Sequence, residues 1–346
     1  MLLLRDAQRG DLKQLKALSA LLDSVNLPHD ERALARIIDH SSKSFGARLR
    51  DPLERVYLFV LEDPRSRKLV GTSMVIAQHG TRESPCTFFR VDEREHYSST
   101  LDKHFRHKVL SIGYHFDGPT EIGGLVVHPA HRRGAEKPGK QLSYVRFLYL
   151  AAFRERFREV ILAELMPPLL EGGKSPFWEA CGKRFTALEY HEADKLSRVN
   201  KEFIQQLFPP YDIYATLLPP RVQRQLGTVG PQAAAVRVML ERLGFRYVDR
   251  IDPFDGGPHF EARAAEIPLV RAYRKLRVSA RAIPERPGGP DAVELLVGAA
   301  RPSGRIHFRA VRTHARLSGG EIALPRRART LLDVEPGERV HTIPFE

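Results

Sequence analysis

Apolar positions in the first fifty residues follow two helical stripes, and those between residues 56 and 77 follow two strands. After a strand candidate at Leu2–Leu4, the residues Leu12, Leu15, Leu18 and Leu22 recur at intervals of three and four, which puts them on one buried helix face. Asp11 is the expected cap of that helix, and Gln14 the second half of a capping box. Ser24-Val25-Asn26-Leu27-Pro28 breaks it, and Asp30 caps a second helix that turns Leu34, Ile37 and Ile38 inward. Val56–Leu61 and Leu69–Ala77 read as strands joined through Glu62–Ser66, an antiparallel hairpin. Residues 79–120 show less regularity. Ile122–Val127 is a strand by length and β-branched content, and a helical pattern with Leu142, Val145, Phe153 and Phe157 near one face follows it.

Val160–Leu165 makes a further short strand, and Ser175-Pro176-Phe177-Trp178 opens a helix that closes at Gly182. A second helix begins at Pro231, carries Val236, Leu240 and Leu243 on one face, and ends at Gly244 with Phe245 beyond. Both are expected to lead into strands, which suggests a partial internal repeat. From about residue 266 the texture changes to strand candidates at Val293–Val297 and Arg305–Val311, with turns at Pro287-Gly288-Gly289-Pro290 and Pro336-Gly337. The predicted class is α+β: a mixed sheet flanked by helices and a small C-terminal β domain. The expected divisions are residues 1–190, 191–265 and 266–346.

The stretch from Glu121 to Phe157 carries the clearest chemistry. A strand passes through a loop holding Gly134, Pro138 and Gly139 and enters a helix, and His131, Arg132, Arg133, Lys137 and Lys140 surround the junction. Backbone N–H groups in the first turn of a helix have no intrahelical acceptor, and the positive end of the helix dipole favours anions. A coenzyme A diphosphate fits such a cradle. The loop is not a P-loop, since no Gly-Lys is followed by Ser or Thr, and it lacks the three-glycine dinucleotide spacing.

Composition narrows the class. The 346 residues include only two cysteines, Cys86 and Cys181, which argues against a disulfide framework and fits a reducing cytoplasm. The N-terminus has four apolar residues before its first charge, so no signal peptide is expected, nor a membrane span. A net charge of +13 suits acidic partners, either nucleic acid or a small polyanion. Residues 266–346 hold fifteen basic and nine acidic side chains, but the arginines are scattered and mark no recognition helix. His79, His96, His104, His107 and His115 suggest a metal site, with His104 and His107 on one helix face; without a cysteine or a tight quartet beside them, no metal is expected.

The order of these elements resembles the Gcn5-related N-acyltransferase fold, and the chain is similar to the arginine N-succinyltransferase family. The resemblance is carried by Leu27-Pro28, Val60-Leu61-Glu62-Asp63, Ala151-Ala152-Phe153-Arg154 with Phe157, Ser175-Pro176-Phe177-Trp178, Gly182-Lys183-Arg184-Phe185, Gly244-Phe245-Arg246-Tyr247 and Phe254-Asp255-Gly256-Gly257-Pro258. It implies a partial second acyltransferase-like unit and a barrel-like C-terminal domain. It also implies a succinyl-CoA co-substrate lying along Leu125, Val126 and Val127 and the loop residues Arg132, Arg133, Gly134, Gly139 and Lys140. Three departures stand out. Gly230 takes the place of the family's proton-donating His before Pro231-Gln232, the loop is longer than the family's, and Phe116-Asp117-Gly118-Pro119 precedes the central strand.

Amide formation from a thioester requires a neutral amine and a polarised carbonyl. Backbone N–H groups of a splayed strand at Leu125–Val127 supply the second, and Glu121, if buried, is the candidate base. His128 and His259 are the candidates for the missing His, both read as surface positions unless recruited; His259 is taken forward. Asn26 and Asp255 are the acceptor-side candidates, since a guanidinium calls for carboxylates matched to its fork. The expected activity is transfer of succinyl from succinyl-CoA to the α-amine of arginine by a cytoplasmic homo- or hetero-oligomer. The alternatives are another amine or acyl group on the same fold, and a non-catalytic nucleic-acid-binding regulator.

Overall fold

The computed structural model describes residues 1–21, 27–82, 84–132, 134–197, 201–285 and 291–345. The chain forms two compact units, one of residues 1–77, 120–159 and 264–346, the other of residues 78–119 and 160–263. In chain order, the first unit opens with β1 (Leu3–Asp6), α1 (Leu12–Ser19), α2 (Glu31–Phe45), β2 (Val56–Asp63) and β3 (Lys68–Ile76). The second unit then supplies β4 (Cys86–Ser98) and β5 (Lys103–His115). β6 (Thr120–Val127) and α3 (Pro138–Ala152) belong to the first, and β7 (Val160–Glu164), β8 (Ile213–Tyr214), β9 (Arg246–Ile251) and β10 (Pro258–Arg263) to the second. The first unit ends with β11 (Arg274–Val278), β12 (Ala292–Ala300), β13 (Phe308–Ser318), β14 (Glu321–Ala323) and β15 (Arg339–Pro344).

In the first unit the strands run β12-β15-β11-β14-β13-β1-β2-β3-β6, and β12 also pairs with β13. That second pairing closes the last five strands into a small barrel, which removes their free edges. α1 and α2 cover one face of the sheet: Leu15, Leu18, Leu34 and Ile38 pack with Leu58, Val60, Met74 and Val126. α3 is buried nearly all round, beyond the one face that its Leu142, Val145, Phe153 and Phe157 spacing predicts. Its Leu142 carbonyl accepts from Ser73 Oγ at 2.8 Å on the sheet side, while Tyr144 meets Phe345 of the barrel edge to face with centroids 5.5 Å apart. The helix ends at Ala152, so Phe153 caps it and Phe157 lies beyond a 3-10 turn.

A buried polar knot joins the start of the chain to the barrel. Asp6 accepts from the backbone N–H of His307 at 2.9 Å and of Phe308 at 3.1 Å, and from Gln8 Nε2 at 2.7 Å. Arg5 forks onto Asp11 at 2.7 and 2.8 Å and reaches Glu62 at 2.6 Å. Asp11 is thereby diverted from the capping role expected for α1. It accepts instead from the Gln8 backbone, and Gln14 reaches across to the backbone of Leu69 and Arg67. Asp30 does cap α2, accepting from Ala33 N at 2.7 Å.

The second unit has the antiparallel order β7-β10-β9-β4-β5-β8. Residues 79–120, expected to be irregular, are dominated by the β4–β5 ribbon of two 13-residue strands in unbroken register. Its outer half is polar on both faces, which is why no period is visible. His104 and His107 therefore lie on a strand and point to opposite faces. The helix opened by Ser175 does not lead into a strand: a break at Cys181 is followed by helices at Gly182–Thr186 and Tyr190–Ser197. Its repeat partner at Ala234–Arg242 does lead into β9, through Gly244 at φ 91°. Trp178, stacked on Phe254 at 5.2 Å, centres the core with Phe89, Phe177 and Ile251. Pro287–Pro290 falls outside the described residues.

Candidate active site

β6 departs from a regular strand at its glycine pair. Thr72 pairs with Val126 and Met74 with Gly123, so Ser73 alone faces both Gly124 and Leu125. Gly124 has φ +57°, a conformation that costs an L-residue about 1–2 kcal/mol. This is a β-bulge in which a left-handed glycine takes one residue out of the ladder and re-aims the next. The displaced backbone belongs to Leu125, where a thioester carbonyl was expected to be polarised. Val126 faces the apolar core, 4 % exposed, while Leu125 and Val127 are half-buried on the other side. The sequence carries a signal for the bulge in two adjacent glycines, Gly123 and Gly124, inside a β-branched run, and the splaying expected at Leu125–Val127 begins there.

Past Val127 the chain enters the basic loop. His128 Nδ1 accepts from Ala130 N at 3.3 Å, Arg132 Nε donates to the Val127 carbonyl at 3.1 Å, and Lys137 takes up φ 48° as α3 begins with Pro138. Gly139 lies against Val127: a Cβ there would meet Val127 Cγ2 at 3.7 Å, so the strand end and the helix start touch. The loop is tethered from outside. Arg312 of the barrel donates to the Ala135 carbonyl at 2.6 Å, Gln141 Nε2 to the Glu136 carbonyl at 2.6 Å, and the chain's amino terminus reaches Glu136 at 3.2 Å. Arg132 and Gly134 are exposed and Arg133 is outside the described residues. Lys140 does not extend into the loop; its ammonium lies 5.0 Å from the Tyr144 ring and 5.1 Å from that of Phe345.

Glu121, the second residue of β6, pairs with Ile76 and is 2 % exposed. The bulged strand, the tethered loop, the first turn of α3 and this buried carboxylate all lie in the first unit.

The remaining candidates lie in the second unit, apart from Asn26, which is outside the described residues. Asp255 Oδ1 accepts from Gly257 N at 2.7 Å, and Asp252 Oδ1 from Phe254 N at 2.7 Å and Asp255 N at 3.0 Å, so both serve their own turn. The cavity beside Asp255 is about 10 Å³, room for a water rather than an amino acid. Burial and the nearby charge of Glu164 push the Asp252 carboxyl up to about 6. His259, read as a surface position, is 1 % exposed, with Nε2 3.5 Å from Glu164 Oε1 across the β7–β10 ladder. Gly230 has ordinary backbone angles; a Cβ there would lie 2.6 Å from the Pro167 carbonyl oxygen.

Comparison with known proteins places the chain. Residues 2–269 match the family model described as arginine N-succinyltransferase beta subunit, and residues 274–344 match that of its C-terminal domain. The chain belongs to the arginine N-succinyltransferase family. It is 32 % identical to the arginine N-succinyltransferase of Yersinia pestis over 99 % of its own length and 97 % of the relative's. With the Enterobacter enzyme of that name it is 36 % identical, over 80 % of each chain. Subunit AI of the arginine/ornithine succinyltransferase from Pseudomonas aeruginosa superposes with a TM-score of 0.82 at 32 % identity, covering 99 % of this chain and 98 % of that one. The fold expected of the family is thus present from end to end, barrel included.

Proposed function

We propose that this chain transfers a succinyl group from succinyl-CoA to the α-amine of arginine, releasing free CoA. The reaction class, acyl-CoA-dependent N-acyl transfer, comes with family membership over nearly the whole length. The observation that carries the reading onto this chain's own atoms is the bulge at Gly124–Leu125, followed by the tethered loop and, at Pro138, the start of α3.

In this reading the diphosphate lies on the first-turn N–H groups of α3, with Arg132 and Gly134 around it. The thioester carbonyl takes its hydrogen bond from the Leu125 amide, which gains strength as negative charge grows on the oxygen. Glu121 accepts a proton from the α-ammonium, directly or through a water, and the neutral amine attacks the carbonyl carbon. Collapse of the tetrahedral species expels the CoA thiolate, and the extra proton that the attacking nitrogen still carries passes to that thiolate, leaving the amide and the free thiol. No histidine is needed at position 230 for this sequence of steps.

The test is thiol release and product mass after incubation with succinyl-CoA and a panel of amines including arginine and ornithine, the two acceptors in the Pseudomonas relative's name. The proposal expects CoA release dependent on arginine and a product heavier by one succinyl group. Amine-independent release, or preference for acetyl-CoA, would overturn the donor assignment. For the base, Glu121→Gln is expected to lower kcat by about 10²–10⁴-fold; an unchanged rate across pH removes Glu121 from the mechanism.

A further inference from the structure

We propose that His79, Cys86 and Glu164 form a binding site for a transition-metal dication of the zinc class in the second unit, with the fourth position open to water. A ring nitrogen of His79, Sγ of Cys86 and a carboxylate oxygen of Glu164 all lie within 4.8 Å of one another. His259 Nε2 stands 3.5 Å from Glu164 Oε1. Zinc holds such ligands at about 2.0–2.3 Å in a tetrahedron, which sets neighbouring donors roughly 3.3–3.8 Å apart. For these three donors, side-chain movements of about 1–1.5 Å at most close the difference.

The backbone builds this cluster rather than merely permitting it. His79 follows β3 and Cys86 opens β4, and the loop between them is folded back tightly at Gly80, with φ +89°. A Cβ at Gly80 would lie 2.5 Å from Cys86 N and 2.4 Å from the His115 carbonyl oxygen, so only glycine lets these segments approach. Hydrogen bonds from His79 N to the Pro119 carbonyl at 2.7 Å and from Thr81 N to the Ser84 carbonyl at 2.9 Å fix the loop. Glu164 ends β7 and is the ladder partner of His259 on β10, so register alone holds that pair together. The loop that carries His79 and Cys86 and the end of β7 thus converge on one point, with His259 beside Glu164.

The chemistry of the set is selective. Imidazole nitrogen, thiolate and carboxylate suit a borderline dication and not magnesium or calcium, which take oxygen shells. A thiolate and a carboxylate neutralise two positive charges in a place where an uncompensated ion is costly. The expectation that no cysteine accompanies the histidines concerns His96, His104 and His107 as well as His79. The first three contact aromatic neighbours, as with Tyr97 4.6 Å from His104. It fails for His79, because the loop brings Cys86 to it. The second cysteine serves as a control: Cys181 sits in the apolar core, and burial pushes its thiol up to about 12.

The proposal does not depend on the transfer reaction, and its test does not use activity. The full chain, exchanged into metal-free buffer and titrated with Co²⁺, is expected to bind one equivalent, with the near-ultraviolet absorption of a cobalt–thiolate bond. Zn²⁺ should displace it, and elemental analysis should find zinc in protein purified without chelator. Cys86→Ser should abolish the absorption and weaken binding by at least about 10–100-fold; Cys181→Ser should leave both unchanged. Chelation should lower the melting temperature of the wild type. If Cys86→Ser does not fold, the same titration on His79→Gln decides, with weakened binding expected. No saturable uptake by the wild type would leave a His–Glu contact beside a thiol and would falsify the site. So would a thiolate band that survives Cys86→Ser, or undiminished affinity in His79→Gln.

Discussion

Single residues show how far the meaning of a position depends on what surrounds it. From sequence, Gly230 reads as the loss of a proton donor. In the fold it is a packing position: its N–H donates to the Met166 carbonyl at 2.8 Å, and its Cα lies so close to the Pro167 carbonyl that any side chain must displace backbone. Gly230→His is therefore expected to cost about 1–3 kcal/mol in denaturant unfolding and to leave the rate of CoA release no higher than in the wild type; a faster variant would return position 230 to the mechanism. His341 is a second case, invisible as anything but a strand residue. Burial, and then the charge of Lys275, lower its pKa from 6.5 to about 4, while its Nδ1 meets Tyr273 Oη at 2.7 Å. The folded state holds this ring neutral, so between about pH 6.5 and pH 4 the unfolded chain binds the proton more readily and stability falls as pH falls. Above pH 6.5 the contribution is fully present. His341→Gln should flatten the acid side of the stability profile, by at most on the order of 3 kcal/mol, relative to wild type in urea unfolding at pH 4.5 and 7.

Elements were legible where a period survives and hidden where none exists. The α2 stripe, the β2–β3 hairpin and the cap at Asp30 followed from spacing, because one face of each is buried and the other is not. The β4–β5 ribbon escaped notice because its outer residues are polar on both faces, and α3 was misjudged because sheet and barrel enclose it from opposite sides. The active strand lies between these extremes: Ile122–Val127 announced a strand, but alternation says nothing about a residue removed from register. Gly124→Val tests what the bulge does. The substitution forces a β-branched residue into a left-handed conformation or irons the strand flat, and its Cβ would press Met74 at 3.3 Å. If the Leu125 amide is the oxyanion donor, kcat should fall by about 10²–10³-fold with the circular dichroism spectrum retained. The loop tether acts differently: Arg312→Ala removes the bond to Ala135 and should raise the KM for succinyl-CoA several-fold while kcat changes little. Equal losses in both parameters would mean that the loop is placed by something else.

At the scale of the molecule, the sequence announced a basic β-rich tail but not its purpose. The resemblance supplied the barrel; what only coordinates reveal is that the barrel completes the first unit. β13 pairs with the outer edge of β1, Phe308 packs against Phe45, Phe59 and Tyr149, and Asp6 receives three hydrogen bonds from His307 and Phe308, about 300 residues away in sequence. Such contacts join the ends of the chain, beyond the range of local patterning. They argue that the tail is not an appended nucleic-acid module. A chain ending at residue 272 would leave the edge of β1 open and a face of α3 bare, the combination that drives edge-to-edge aggregation. It should be insoluble or fail to give a cooperative transition, whereas an independent module could be removed with the remainder still folding. Asp6→Ala probes the same joint more gently. Removing a buried carboxylate that holds two backbone N–H groups and an imidazole should cost about 3–5 kcal/mol, and Asp6→Asn should recover part of it by keeping one acceptor. Should Asp6→Ala melt with the wild type, the barrel is held by its apolar contacts alone, and the polar knot at the start of the chain is incidental to the fold.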